Sequence, residues 1–130
     1  MIDMAERKSD VSKLVMMVDD SPSMRMLLRA ALTDLGYDVV EAEDGVSALE
    51  KLGSVEPDLL ITDINMPRLD GFGLIAQVRG AGRRNLPILV LTTESSDEKK
   101  QRARQAGATG WIVKPFNPDK LAAAIRRVLH

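Results

Sequence analysis

Short apolar runs and helical stripes alternate five times along this chain, and few folds can absorb that pattern. The runs lie at Leu14–Val18, Tyr37–Val40, Leu59–Thr62, Ile88–Leu91 and Trp111–Val113, with β-branched residues inside and turn formers at their borders. Short apolar runs of this kind predict strands buried on both faces. Between them the apolar residues recur with a helical period. Met24, Leu27, Leu28, Ala31, Leu32 and Leu35 make one stripe, with Ser21 placed to cap it, Pro22 at the first helical position and Gly36 at the stop. Asp44 is expected to cap a second helix carrying Val46, Leu49 and Leu52, and Phe72, Ile75 and Val78 mark a third. Ser95 and Glu98 have capping-box spacing and predict a fourth helix ending near Gly107. Asn117-Pro118 opens a fifth, with Leu121, Ile125 and Val128 on one face and Phe116 and Leu121 at the positions of a hydrophobic staple. Strands joined through a helix run parallel with right-handed crossovers, so the expected fold is an open α/β sheet of five parallel strands covered by five helices.

At 130 residues the chain is the size of one domain, and no linker or repeat divides it. Residues 1–12 are polar and mixed in charge and are expected to be a flexible tail ahead of a domain over residues 13–130. A composition of 45% hydrophobic and 28% charged residues can build a core. Eighteen Lys and Arg against nineteen Asp and Glu leave no basic excess, which argues against a dedicated nucleic-acid binder. The absence of cysteine excludes a disulfide scaffold, a thiol nucleophile and a cysteine zinc site. The single histidine, at the last position, argues against His-rich metal sites and Ser-His-Asp catalysis. No apolar run approaches a membrane span, and the first ten residues lack a signal-peptide core, so a cytoplasmic protein is expected.

Open parallel sheets place their sites beyond the carboxyl ends of the strands. The residues that follow the apolar runs are Asp19 and Asp20, then Asp63, Thr92 and Lys114. Three carboxylates brought to one edge repel one another, and a divalent cation relieves that repulsion. All-oxygen ligands select a hard ion such as Mg²⁺, which keeps positions open for water and phosphate oxygens. The Lys114 ammonium and the Thr92 hydroxyl then suit phosphoryl oxygens. A carboxylate left free to attack can form an acyl phosphate.

The segments VDDS, DINMP, LTTE and GWIVKPF, in that order at successive strand ends, resemble the receiver domain of bacterial two-component response regulators, of the single-domain CheY-like chemotaxis type. The resemblance runs from about Leu14 to Leu129. It implies a flavodoxin-like, doubly wound sheet with strand order 2-1-3-4-5, an order taken from the family and not from this sequence. It also implies Asp63 as phosphoacceptor, Asp20 as a direct Mg²⁺ ligand, Asp19 acting through water, and the Asn65 backbone carbonyl as a further ligand. Thr92 would contact the phosphoryl group, Lys114 would pair with it, and the Lys114–Pro115 peptide would be cis. Trp111 stands at the aromatic switch position, where Tyr or Phe is more usual. Asn65 and Glu94 flank the site at positions expected to tune the phosphoryl lifetime. The family signals through the face of its fourth helix, fifth strand and fifth helix, which points to Lys99, Lys100, Arg102 and Trp111 as partner-facing.

The function so implied is a phosphorylation-gated switch and not a turnover enzyme. A histidine kinase would be the phosphodonor, and a protein such as the flagellar motor switch the output, with no DNA, no membrane and a monomeric chain. A phosphorelay shuttle or phosphate sink is the alternative within signalling. From another class, a small phosphohydrolase would use Asp63 as nucleophile, but Asn65 stands where a D-x-D enzyme carries its general acid. The sequence Gly71-Phe72-Gly73-Leu74-Ile75-Ala76 has the form of a dinucleotide fingerprint, yet six residues from Asn65 to Asp70 separate it from its strand, and a turn into the third helix accounts for it. No P-loop sequence is present.

Overall fold

The computed structural model describes residues 12–129. Its elements follow in strict alternation: β1 (Leu14–Val18), α1 (Pro22–Asp34), β2 (Asp38–Ala42), α2 (Gly45–Leu52), β3 (Leu59–Thr62), α3 (Gly71–Gly80), β4 (Ile88–Thr92), α4 (Asp97–Ala106), β5 (Gly110–Val113) and α5 (Pro118–Val128). The strands form one parallel sheet in the order β2-β1-β3-β4-β5, as expected. The tail expected over residues 1–12 lies outside the described residues except for Ser12, whose hydroxyl donates to Asp38 at 2.8 Å.

The period-two alternation of the strands divides the core between the two faces. Met16, Val18, Leu60, Ile88 and Val90 turn to one side and pack with Leu52, Ile75, Val78 and Ala103 from α2, α3 and α4. Val15, Met17, Leu59, Ile61, Leu89 and Leu91 turn to the other and meet Leu28 and Leu32 of α1 and Leu121 and Ile125 of α5. Burying each large side chain contributes roughly 1.5–3 kcal/mol before chain entropy is charged against it. Among the described residues no helix is long and apolar enough to cross a membrane.

Where boundaries depart from expectation, a local cause is visible. β2 begins at Asp38 because the Tyr37 N–H is spent on the Leu32 carbonyl at the end of α1. It extends to Ala42 because this edge strand is half-buried, so it can include Glu41, which Arg25 and Arg29 neutralise. The cap of α4 is Ser96 and not Ser95: the Ser96 hydroxyl accepts the Lys99 N–H at 3.2 Å, and Glu98 then sits one place too early for a capping box. Asp97 and Glu98 instead face the helix dipole from its first turn. The α1 stripe is narrower than its spacing, with Leu28 and Leu32 buried but Leu27 59% exposed and Leu35 40%.

At the first residue of α3 the chain has no room for a side chain, which requires Gly71. A Cβ there would lie 2.3 Å from the Asp63 carbonyl oxygen and 2.8 Å from the Ile64 Cα, both backbone atoms that cannot step aside. Gly71→Ala is therefore expected to cost about 2 kcal/mol, the scale of an overpacked site. Urea unfolding measures it, and an unchanged midpoint would contradict the close approach.

Candidate functional site

Parallel pairing delivers the predicted residues to one edge. Val18 pairs with Thr62 and Thr92 with Val113, so Asp19, Asp63 and Lys114 each leave the sheet one residue past a paired position. The Lys114–Pro115 peptide is cis. From β5 the Lys114 side chain reaches across the end of β4, and its Nζ donates to Asp19 Oδ2 at 2.7 Å and to Asp63 Oδ2 at 2.8 Å. Burial opposes the charge on this ammonium, but the hydrogen bonds to Asp19 and Asp63 outweigh it and hold Lys114 protonated beyond the ordinary lysine range. Asp19 is 2% exposed and Asp63 8%, whereas Asp20 faces solvent.

The remaining oxygens of the two buried carboxylates are held by the backbone. The Ile64 N–H donates to Asp63 Oδ1 at 2.6 Å, and the Ser21 N–H to Asp19 Oδ1 at 2.9 Å. Arg25 donates to the Asp19 carbonyl at 2.6 Å and pairs with Glu41, which fixes the start of the β1–α1 turn. Thr92 is fully buried, and its hydroxyl accepts a long bond from the Glu94 N–H at 3.4 Å.

Oxygens from Asp19, Asp20 and Asp63 lie within 4.8 Å of one another. Three carboxylates facing one ammonium leave an excess of negative charge at a partly open site. A donor set of hard oxygens with no nitrogen or sulfur fits Mg²⁺.

A second set of contacts leads away from the acidic cluster. Asn65 Nδ2 donates to Glu94 Oε2 at 3.1 Å, and Glu94 Oε1 is 3.1 Å from the Lys99 ammonium at the start of α4. Hydrogen bonds from Asn65 and then Lys99 hold the Glu94 carboxyl below its ordinary range. The Trp111 indole N–H donates to the Glu94 carbonyl at 3.1 Å, a bond that phenylalanine in its place could not make. Lys100 lines a cleft of about 70 Å³ between α4 and β5 together with Trp111. Arg102 turns instead over the Phe72 ring of α3, 4.0 Å from its centroid.

Two arginines that sequence patterning did not single out brace the molecule, Arg68 at the carboxyl edge of the sheet beside the site and Arg79 at the opposite edge. Among the described residues Arg79 has no carboxylate partner; its guanidinium donates to the Gly107 carbonyl at 2.8 and 3.1 Å and to the Arg83 carbonyl at 2.6 Å, and burial lowers its pKa. Arg68 forms a forked pair with Asp44. Neither leaves a sequence signal, because their partners are backbone carbonyls or a residue 24 positions away.

Residues 15–126 match the family described as the response regulator receiver domain. The response regulator MprA of Mycobacterium tuberculosis is 42% identical over 120 residues, which are 92% of this chain; the chain spans about half of that relative, 52% of its length. The chemotaxis protein CheY1 of Helicobacter pylori is 42% identical over 118 residues, covering 88% of this chain and 95% of that protein. Among solved structures, the chemotaxis protein CheY4 of Vibrio cholerae superposes with a TM-score of 0.87 at 46% identity, over 92% of this chain and all of that one. With sheet order, acidic cluster and family match in agreement, this chain belongs to the receiver domains of two-component response regulators, a family of signalling proteins.

Proposed function

We propose that the chain is a phosphorylation-gated switch in which Asp63 accepts a phosphoryl group from a histidine kinase. The observation that carries this reading is the Asp63 carboxylate, bonded to Lys114 and clustered with Asp19 and Asp20 at the carboxyl edge of the sheet. Asp20 directly, Asp19 largely through water, Asp63 and the Asn65 carbonyl would hold Mg²⁺, which when bound neutralises charge on the transferring phosphoryl group. An Asp63 carboxylate oxygen attacks phosphorus, the bond from phosphorus to the donor nitrogen breaks, and an acyl phosphate is left on Asp63. Lys114, already between Asp19 and Asp63, follows the new charge and pairs with a phosphoryl oxygen. Thr92 would turn its hydroxyl to another phosphoryl oxygen, giving up the long contact from the Glu94 N–H.

That movement acts on the β4–α4 loop, to which Trp111 is tied through the Glu94 carbonyl. Trp111 would then reorient, and the face of α4, β5 and α5, with Lys99, Lys100 and Trp111, would change its affinity for a protein partner, while Arg102, expected on that face, turns onto Phe72 of α3 instead. The relatives named as chemotaxis proteins support chemotaxis as the setting, and a motor-switch protein is the partner proposed within it. In this reading the chain is cytoplasmic, works as a monomer apart from DNA and membrane, assists its own phosphorylation and hydrolysis, and turns over no other substrate.

Incubation with acetyl phosphate and Mg²⁺, followed by intact-mass measurement, tests the reading. One phosphoryl group is expected with Mg²⁺ and none with a chelator. Absence of the adduct, with beryllofluoride also failing to bind, would overturn it.

A further inference from the structure

The loop from Asp63 to Asp70 must present two things at once, the Asp63 carboxylate and the Asn65 carbonyl, yet it is held by few bonds. Its base is closed by the Gly71 N–H donating to the Ile64 carbonyl at 2.8 Å. One flank is tied to the β4–α4 loop through Asn65 and Glu94. The other flank meets the start of α2, where the Gly45 N–H donates to the Leu69 carbonyl at 3.2 Å and Arg68 reaches Asp44. Gly45 permits that approach, since a Cβ there would lie 2.6 Å from the Leu69 oxygen.

Asp44 is 2% exposed and already caps α2, its Oδ1 accepting the Ser47 N–H at 2.8 Å. Arg68 Nε adds a bond to Oδ2 at 2.7 Å and Nη2 one to Oδ1 at 3.1 Å, so both carboxylate oxygens are taken. A fork of this kind fixes orientation as well as distance, unlike a single exposed ion pair. Arg68 also has φ 70°, left-handed backbone that is uncommon for a residue with a side chain. A residue stays in that region when its surroundings over-determine it, and the paired guanidinium supplies such a restraint.

We infer that the Asp44–Arg68 fork is a positioning clamp, which acts through the Asp63–Asp70 loop to set the Asn65 carbonyl for cation binding. Arg68 touches neither the cation nor the phosphoryl group. This rests on the function proposed above. Groups that orient metal ligands from outside the coordination sphere commonly change affinity by 10–100-fold, and the expected effect here is about tenfold.

The test compares wild type with Arg68→Gly, Arg68→Asn and Arg68→Lys. Glycine and asparagine both accept left-handed backbone, so they remove the fork without adding strain. Calorimetry with Mg²⁺ should show a Kd raised about tenfold in both, with Arg68→Lys between them and wild type because it keeps the charge without the fork. Amide exchange should quicken in Ile64–Asp70 while Leu60 and Val90 in the sheet stay as protected as in wild type. Unchanged Kd in the glycine and asparagine variants would overturn the clamp and leave the phosphorylation reading standing. Exchange that quickens equally across the sheet would also overturn it, because the pair would then be a general stabiliser. Failure of wild type itself to bind Mg²⁺ would overturn both readings.

Discussion

Asp63→Asn is expected to gain no phosphoryl group from acetyl phosphate in Mg²⁺ while keeping the same fold. Asparagine has almost the same shape, and its amide oxygen can still accept the Ile64 N–H that now reaches Asp63 Oδ1. It lacks the anionic oxygen that would attack phosphorus, and in the proposed reading neither neighbour substitutes, because Asp19 and Asp20 both leave the sheet from β1 and are committed to Mg²⁺. The stability change runs the other way from a typical buried mutation. Asp63 faces two carboxylates within 4.8 Å and one ammonium, so neutralising it removes two repulsions against one attraction. The urea midpoint should therefore not fall. A variant that labels to the same stoichiometry as wild type would place the phosphoacceptor elsewhere, and one that unfolds would show that the carboxylate is structural.

Much of this site was legible because parallel topology converts sequence into geometry. Once Asp19, Asp63 and Lys114 are read as the residues after apolar runs, the sheet has to bring them to one edge, and a lysine is long enough to cross β4. The division of the core was legible for a similar reason, since strands apolar at every position need cover on both faces. What escaped were interactions set by tertiary distance. Leu27 and Leu28 look equivalent in the stripe, but a helix lying against the sheet buries one and exposes the other. Arg68 looks like a loop residue until the start of α2 is placed beside it, and Arg79 like a solvated end of a helix until the Gly107 carbonyl arrives. Ser95 and Ser96 are alternative caps by composition, and only the direction of chain entry into α4 selects the second. Strand order was legible through family resemblance alone, because helical crossovers fix handedness but leave several orders open.

Lys114→Met separates the two tasks proposed for the ammonium. Methionine keeps most of the buried stem and removes the charge between Asp19 and Asp63. Without metal, the buried Asp19 carboxylate loses its cation, and a loss of about 2 kcal/mol in unfolding free energy is expected, below the 3–5 kcal/mol of a fully enclosed pair because Asp20 lies open to water. The folded ammonium holds its proton above the ordinary lysine range, so its contribution is fully present below that range and is lost only as pH rises through the folded value. The difference between wild type and variant should thus stay flat through neutral pH and shrink in strong alkali. Mg²⁺ should bind the variant more tightly, since the competing cation is gone, and saturating Mg²⁺ should return much of the lost stability by mass action. Phosphorylation should nevertheless slow by about 10²-fold, the usual cost of removing one fixed charge that meets negative charge as it develops. Tighter metal binding together with slower transfer is the signature expected of Lys114. Metal affinity and transfer rate falling together would mean that the lysine merely holds the acidic residues in place.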